Sequence, residues 1–200
     1  MPISGELIAG ALAGLAFVGC SLSNASGTPG PGARQGRRRE VVVNGKRVKT
    51  VDIHAHTIVP EAAAVINHPL EAPGLLWSNV ADRIQEMDSE GIDVEALSIN
   101  PFWYRAERDA AAELIKIQNE KLAEFCAATP DRFVALATVA LQHPQLAVEQ
   151  LEYAIKTFGL RGLSVGGSVA GQELADPKFH PVWAKAEELG ILIFMHPLGT

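Results

Sequence analysis

The sequence predicts an α/β fold built on a parallel β-sheet, and three observations carry that expectation. Apolar runs without polar alternation recur from residue 50 onward, as strands buried on both faces require. Amphipathic stretches of helical period lie between them. The spacing from one strand to the next is about 30–40 residues, the beat of a (β/α)8 barrel or of a doubly wound sheet.

The elements follow in order. Val41-Val42-Val43, Asn44-Gly45 and Arg47-Val48 predict a hairpin, because Asn-Gly accepts the positive φ angles of a tight turn. Val51-Asp52-Ile53 is the first buried strand. Asn79 caps a helix with Val80, Ile84 and Met87 on one face, and Gly91 ends it. Ile92 to Ile99 is the second strand, stopped by Asn100-Pro101. A long helix over 107–128 presents Ala111, Leu114, Ile115, Leu122, Phe125 and Cys126 on its apolar face, and Pro130 closes it. Phe133 to Val139 is the third strand. Ala147, Val148, Leu151, Ala154, Ile155 and Phe158 repeat at helical spacing before Gly159. Leu160 to Val165 is the fourth strand, Phe179 to Leu189 a helix, and Ile191 to Met195 the fifth strand.

A doubly wound nucleotide binder places a glycine fingerprint after its first strand. His54-Ala55-His56-Thr57 occupies that place here. Gly162, Gly166, Gly167 and Gly171 cluster around the fourth strand without the required spacing, and read as turn glycines or as room for a substrate. The barrel is therefore preferred, with about five of its eight βα units in residues 40–200.

Composition narrows the function classes. The chain of 200 residues is 48% hydrophobic and 20% charged with two cysteines, which excludes a disordered tail, a polytopic membrane protein and a disulfide scaffold. Residues 1–49 hold seven Lys/Arg against two acidic groups, whereas residues 50–200 hold ten against 21. An acidic body repels phosphate backbones, so nucleic acid is not an expected partner. Residues 1–36 read as a signal-like apolar segment, Leu7 to Leu22, followed by a Gly/Pro/Ser-rich flexible linker outside the fold. The apolar run is shorter than the roughly 20 residues of a membrane span. Phe17-Val18-Gly19-Cys20 resembles a lipoprotein cleavage box, although no basic residue precedes the run. Export to the periplasm or lipid anchoring is the favoured expectation, with a cytoplasmic chain as the alternative. Arg37-Arg38-Arg39 reads as a solvated linker face.

The chemistry is expected at the strand ends. Residues i and i+2 of a strand share a face, so His54 and His56 project together at the C-terminal end of the first strand. Barrel active sites lie at that end. Two such imidazoles can share a metal ion at about 2.0–2.1 Å from each nitrogen, or simply pack. His196 ends the fifth strand and delivers a third imidazole to the same rim. Asp52, beside the pair, is assigned to the face opposite His54, where it makes structural hydrogen bonds.

Taken together, Val51-Asp52-Ile53-His54-Ala55-His56, Glu86-Met87-Asp88 leading into Gly91-Ile92-Asp93-Val94, Pro130-Asp131-Arg132-Phe133 and Met195-His196-Pro197 resemble the amidohydrolase superfamily. The nearest branch is amidohydrolase family 2, that of aminocarboxymuconate-semialdehyde decarboxylase, and the resemblance covers its N-terminal portion. It implies a metal-dependent (β/α)8 barrel, usually with zinc, in which His54, His56 and His196 are ligands. It also implies a further ligand aspartate on the eighth strand and an acid/base histidine on the sixth, both expected beyond residue 200. The 200-residue piece alone is accordingly expected to be inactive. Where the decarboxylase has Trp after His-Pro, this chain has Leu198, so the resemblance does not carry that enzyme's own substrate over.

The functional expectation is a carboxy-lyase acting on an unsaturated or aromatic-derived carboxylic acid through metal-activated water. The alternatives are a metal-dependent hydrolase of an ester, lactone or amide, and an inactive truncated remnant. Arg105, in the loop after the second strand, is the candidate clamp for a substrate carboxylate. Trp103 and Tyr104 either wall the pocket or pack against a partner subunit, a homodimer when full length. Cys126 reads as inert core, and His68, His143 and His180 as surface groups.

Overall fold

The computed structural model describes residues 38–70 and 80–197 in full, and the backbone of Ala16–Val18 and Leu76–Trp77. The rest of the signal-like segment and linker, the Asn79 cap and Leu198 lie outside the described residues. Ala16–Val18 forms β1. Val42–Val43 (β2) and Lys46–Arg47 (β3) make the expected hairpin, with Asn44 and Gly45 at φ 50° and 75° in its turn. Val51–Ile58 is β4, Pro60–Val65 α1 and Leu76–Trp77 β5. The chain continues through Val80–Glu90 (α2), Val94–Ser98 (β6), Arg108–Ala128 (α3), Phe133–Ala135 (β7) and Pro144–Lys156 (α4). Gly162–Gly166 (β8), the small ribbon Ser168–Val169 (β9) and Gln172–Glu173 (β10), His180–Leu189 (α5) and Leu192–His196 (β11) complete the description. Among the described residues, no helix is long and apolar enough to cross a membrane.

Strands β4, β6 and β7 pair in parallel, as do β8 and β11. The two groups join where the Ala137 amide donates to Gly162 O (2.7 Å) and the Ser164 amide to Ala137 O (3.0 Å). The five predicted strands thus run side by side in chain order, all parallel, with helices packed on their outer face. There Ala55, Leu97, Ala135, Ala137 and Leu163 meet Leu114, Ile115, Leu122, Phe125, Leu151 and Val182 in one buried core. Each large apolar side chain so buried contributes about 1.5–3 kcal/mol relative to exposure.

Several expectations change. The first strand is buried only in its upper half: Val51 and Ile53 remain 52% and 53% exposed. The physical reason is coverage, since β1 lies antiparallel along β4 only from His56 to Ile58. On β11, Leu192 and Met195 are likewise 53% and 57% exposed, with β8 its one strand neighbour among the described residues. Gly162 is not a turn glycine. It sits inside β8, where an added Cβ would meet Leu192 O at 2.7 Å, so it permits the close approach of β11. Gly171, at φ 86°, does turn the β9–β10 ribbon.

Within the arginine run, Arg38 departs from a solvated linker face, whereas Arg39 is exposed and Arg37 lies outside the described residues. Arg38 pairs with Asp93 and Asp88, and Arg47 reaches Asp93 from the hairpin. Asp93 further accepts the Thr50 amide at 2.8 Å, and Arg132 binds Asp88 at 2.9 Å. This network fastens the hairpin to the N-terminal end of the parallel strands, the end associated with stability in barrels. The Thr50 amide, then the arginines, hold the Asp93 carboxyl below the ordinary range against the opposing effect of burial.

Candidate metal centre

The first and fifth parallel strands are four strand spacings apart, which on a flat sheet is about 19 Å. Nevertheless the rings of His54 and His196 lie 4.8 Å apart between centroids, and those of His56 and His196 4.6 Å. Curvature of the sheet therefore brings the two strand ends together. His54 and His56 are 4.7 Å apart, so the three imidazoles form a nearly equilateral triangle.

A β-bulge aims the pair from β4. Asp52 stands opposite Glu95 and Ala55 opposite Leu97, so three steps on β4 match two on β6. One extra residue reverses the alternation: Asp52 faces outward with Glu95, whereas His56, opposite Ser98, faces inward. Strict alternation would have placed Asp52, His54 and His56 on one face. The assignment of Asp52 to the opposite face holds because of the bulge, and its Oδ1 accepts the His54 amide at 2.8 Å.

Their environments differ. His54 is exposed, His196 half-buried and His56 only 4% exposed. Burial, followed by the charges of His196 and His54, lowers the His56 pKa to about 4 against the opposing pull of Asp52. Its imidazole is therefore neutral at pH 7 with a lone pair to donate. His56 Nδ1 is buried without a hydrogen-bond partner, an arrangement that carries a desolvation cost. One nitrogen from each of the three rings lies within 4.8 Å of the others. Three bonds of about 2.1 Å to one ion set the nitrogens about 3.4–3.6 Å apart, so the rings would close by up to about 1.2–1.4 Å around an ion. The residue types and the unpaired buried nitrogen fit a divalent cation.

Arg105 lies exposed on the same end of the strands, in an open cleft of about 260 Å³ with Phe102, Tyr104, Ser168 and Gly171. The three histidines do not line that cleft. Tyr104 forms part of its wall, its hydroxyl accepting the Gly166 amide at 3.2 Å. Trp103 neither walls the cleft nor offers a surface to a partner. It is fully buried, with Nε1 donating to Val139 O at 2.9 Å. Burial pushes the Cys126 thiol up to about 12, consistent with inert core. His68 stacks on Phe102, His143 precedes α4 with Nε2 3.2 Å from Ala106 O, and His180 is exposed. The sequence reading missed the Asn119 amide side chain, which is buried and exchanges two hydrogen bonds of 2.9 Å with the Thr138 backbone, tying α3 to the segment after β7. The adjacent polar pair Gln118-Asn119 within an otherwise apolar helix face is the available signal.

The amidohydrolase family profile matches residues 51–199, three quarters of the chain and all of the parallel strands. The chain belongs to the amidohydrolase family. Among curated amidohydrolase relatives, 2-amino-3-carboxymuconate-6-semialdehyde decarboxylase of Dictyostelium discoideum is 32% identical over 117 residues, 58% of this chain and 33% of that protein. Gamma-resorcylate decarboxylase of Rhizobium sp. (strain MTP-10005) is 33% identical over 141 residues, 62% of this chain and 43% of that protein. The chain thus spans between a third and a half of these relatives. Among solved amidohydrolase structures, dihydroxybenzoic acid decarboxylase from Polaromonas sp. JS666 superposes with a TM-score of 0.64 at 25% identity, covering 76% of this chain and 50% of that one. That structure holds manganese and the inhibitor 2-nitroresorcinol. The α/β fold therefore matches amidohydrolase barrels over part of their length, and the three relatives named are decarboxylases.

Proposed function

We propose that this chain supplies the metal-binding part of a decarboxylase that replaces the carboxylate of an aromatic acid with a proton, releasing carbon dioxide. The observation that carries the reading is the convergence of His54, His56 and His196 from the first and fifth parallel strands. Those three side chains would hold a divalent ion, which when bound supplies a Lewis acid that polarises substrate oxygens. The Polaromonas relative was solved with manganese, which makes manganese rather than the expected zinc the first ion to test. The aromatic acids named for the gamma-resorcylate and dihydroxybenzoic acid decarboxylases support the substrate class.

The chain's own residues have separable tasks. His56, desolvated and neutral, presents a lone pair rather than a competing proton. Arg105 contributes a planar, permanently charged fork on the same rim, suited to a bidentate contact with a carboxylate. Tyr104, anchored on the Gly166 amide, fixes the loop from which Arg105 projects.

The test uses the full-length polypeptide carrying these residues, loaded with Mn(II) and incubated with gamma-resorcylate and, separately, its methyl ester. Release of carbon dioxide from the acid, abolished by His54→Ala, is expected. Cleavage of the ester without decarboxylation of the acid would replace this reading with that of a hydrolase.

A further inference from the structure

We propose that Asp52 is a positioning residue for the histidine centre: by accepting the His54 amide proton, it fixes the β-bulge that turns His54 and His56 inward. The proposal rests on reading those histidines as metal ligands.

Below the bulge, Val51 stands opposite Val94 and Asp52 opposite Glu95. Continued without interruption, that register would direct His54 and His56 outward, toward the helices, and Ile53 and Ala55 inward. The register resumes at Ala55 opposite Leu97, one residue late, and the histidines face the interior instead. Ile53 and His54 are left between the two paired stretches, with no register partner on β6. A backbone N–H that loses its ladder partner needs another acceptor, and Asp52 Oδ1 at 2.8 Å is that acceptor for His54. A carboxylate held by a backbone amide two residues on closes a local turn, which stabilises the bulged conformation over the straight strand.

Asp52 stands beside a fixed ion pair. Its neighbour in register, Glu95, is 1% exposed and bound by Arg83 from α2 through Nε (2.9 Å) and Nη2 (2.8 Å). This bidentate pair fixes the outward side of the sheet directly beneath the bulge. Asp52 thus acts on the centre through backbone geometry, without itself being a ligand.

The proposal predicts two readouts in the full chain. In the metal-free protein, the His54 amide followed by NMR hydrogen exchange is protected in the wild type and in Asp52→Asn, whose side-chain oxygen still accepts. It becomes at least about tenfold faster in Asp52→Ala. By Mn(II) titration followed by EPR, Asp52→Ala weakens binding by about 10–100-fold, as loss of a ligand-orienting group does, whereas Asp52→Asn stays within about threefold. An unprotected His54 amide in the wild type overturns the proposal without recourse to any variant, so an Ala protein that fails to fold does not obscure the result. Equal loss in Asp52→Asn and Asp52→Ala also overturns it, because charge rather than hydrogen-bond acceptance would then be responsible. A wild type that protects the His54 amide but takes up no Mn(II) refutes the metal reading separately and leaves the Asp52 bulge contact standing.

Discussion

Replacing Gly162 with alanine tests how the close packing of two strands places the third histidine. Gly162 stands opposite Leu192 at the start of the β8–β11 pair, four residues below the Gly166–His196 pair at its upper end. A Cβ at this position would lie 2.7 Å from Leu192 O and 3.0 Å from Leu136 Cδ2. The leucine side chain can rotate away, but the carbonyl belongs to the backbone of β11, so the strands must separate. Overpacking of this kind costs about 1–3 kcal/mol. For a chain of this size each kcal/mol lowers Tm by about 2–4 °C, which gives a fall of about 2–12 °C. Because β11 carries His196 at its end, Mn(II) affinity should fall together with Tm. Differential scanning calorimetry and a Mn(II) titration on wild type and Gly162→Ala provide the comparison. A variant that melts within 1 °C of wild type, with unchanged Mn(II) affinity, would refute the reasoning.

Three further outcomes are expected. Removing one member of the buried Arg83–Glu95 pair strands the other charge, so Glu95→Ala should cost about 3–5 kcal/mol, whereas Arg83→Met/Glu95→Leu together should recover most of it in urea melts. The depressed pKa of Asp93 means its ion-pair stabilisation is fully present above the unfolded value of about 3.9 and is lost as pH falls through the lower folded value. Asp93→Asn should therefore flatten the acid limb of Tm against pH, and an unchanged limb would remove the network from the account. If the proposed decarboxylase reading holds, Arg105→Lys should raise KM for a carboxylate substrate about tenfold, roughly 1.4 kcal/mol, and leave a neutral ester unaffected; unaltered steady-state kinetics on the acid would remove the clamp role.

The parts of the fold legible in the sequence are those set by local pattern. Asn44-Gly45 determines the hairpin turn, and the periodic apolar faces around Leu114 and Leu151 determine α3 and α4. The convergence of the three histidines was legible as well, since parallel strands of a curved sheet carry their C-terminal ends to one rim. The contacts of Arg38 and Trp103 were not. Arg38 meets Asp93 across 55 positions and Trp103 meets Val139 across 36, and no local periodicity encodes such separations. The burial of a loop tryptophan depends on what folds over it. The bulge at Asp52 escaped for a different reason: the strand's alternation reads equally well in either phase until its partner's register is known.

The central claim is that sheet curvature makes one cation site from His54, His56 and His196. Its most direct test is the metal content of the purified chain after Mn(II) loading and desalting, compared with single alanine variants at each histidine. One equivalent in the wild type, lost in His54→Ala, His56→Ala and His196→Ala alike, is the predicted result. A full equivalent retained by any of the three variants would contradict it.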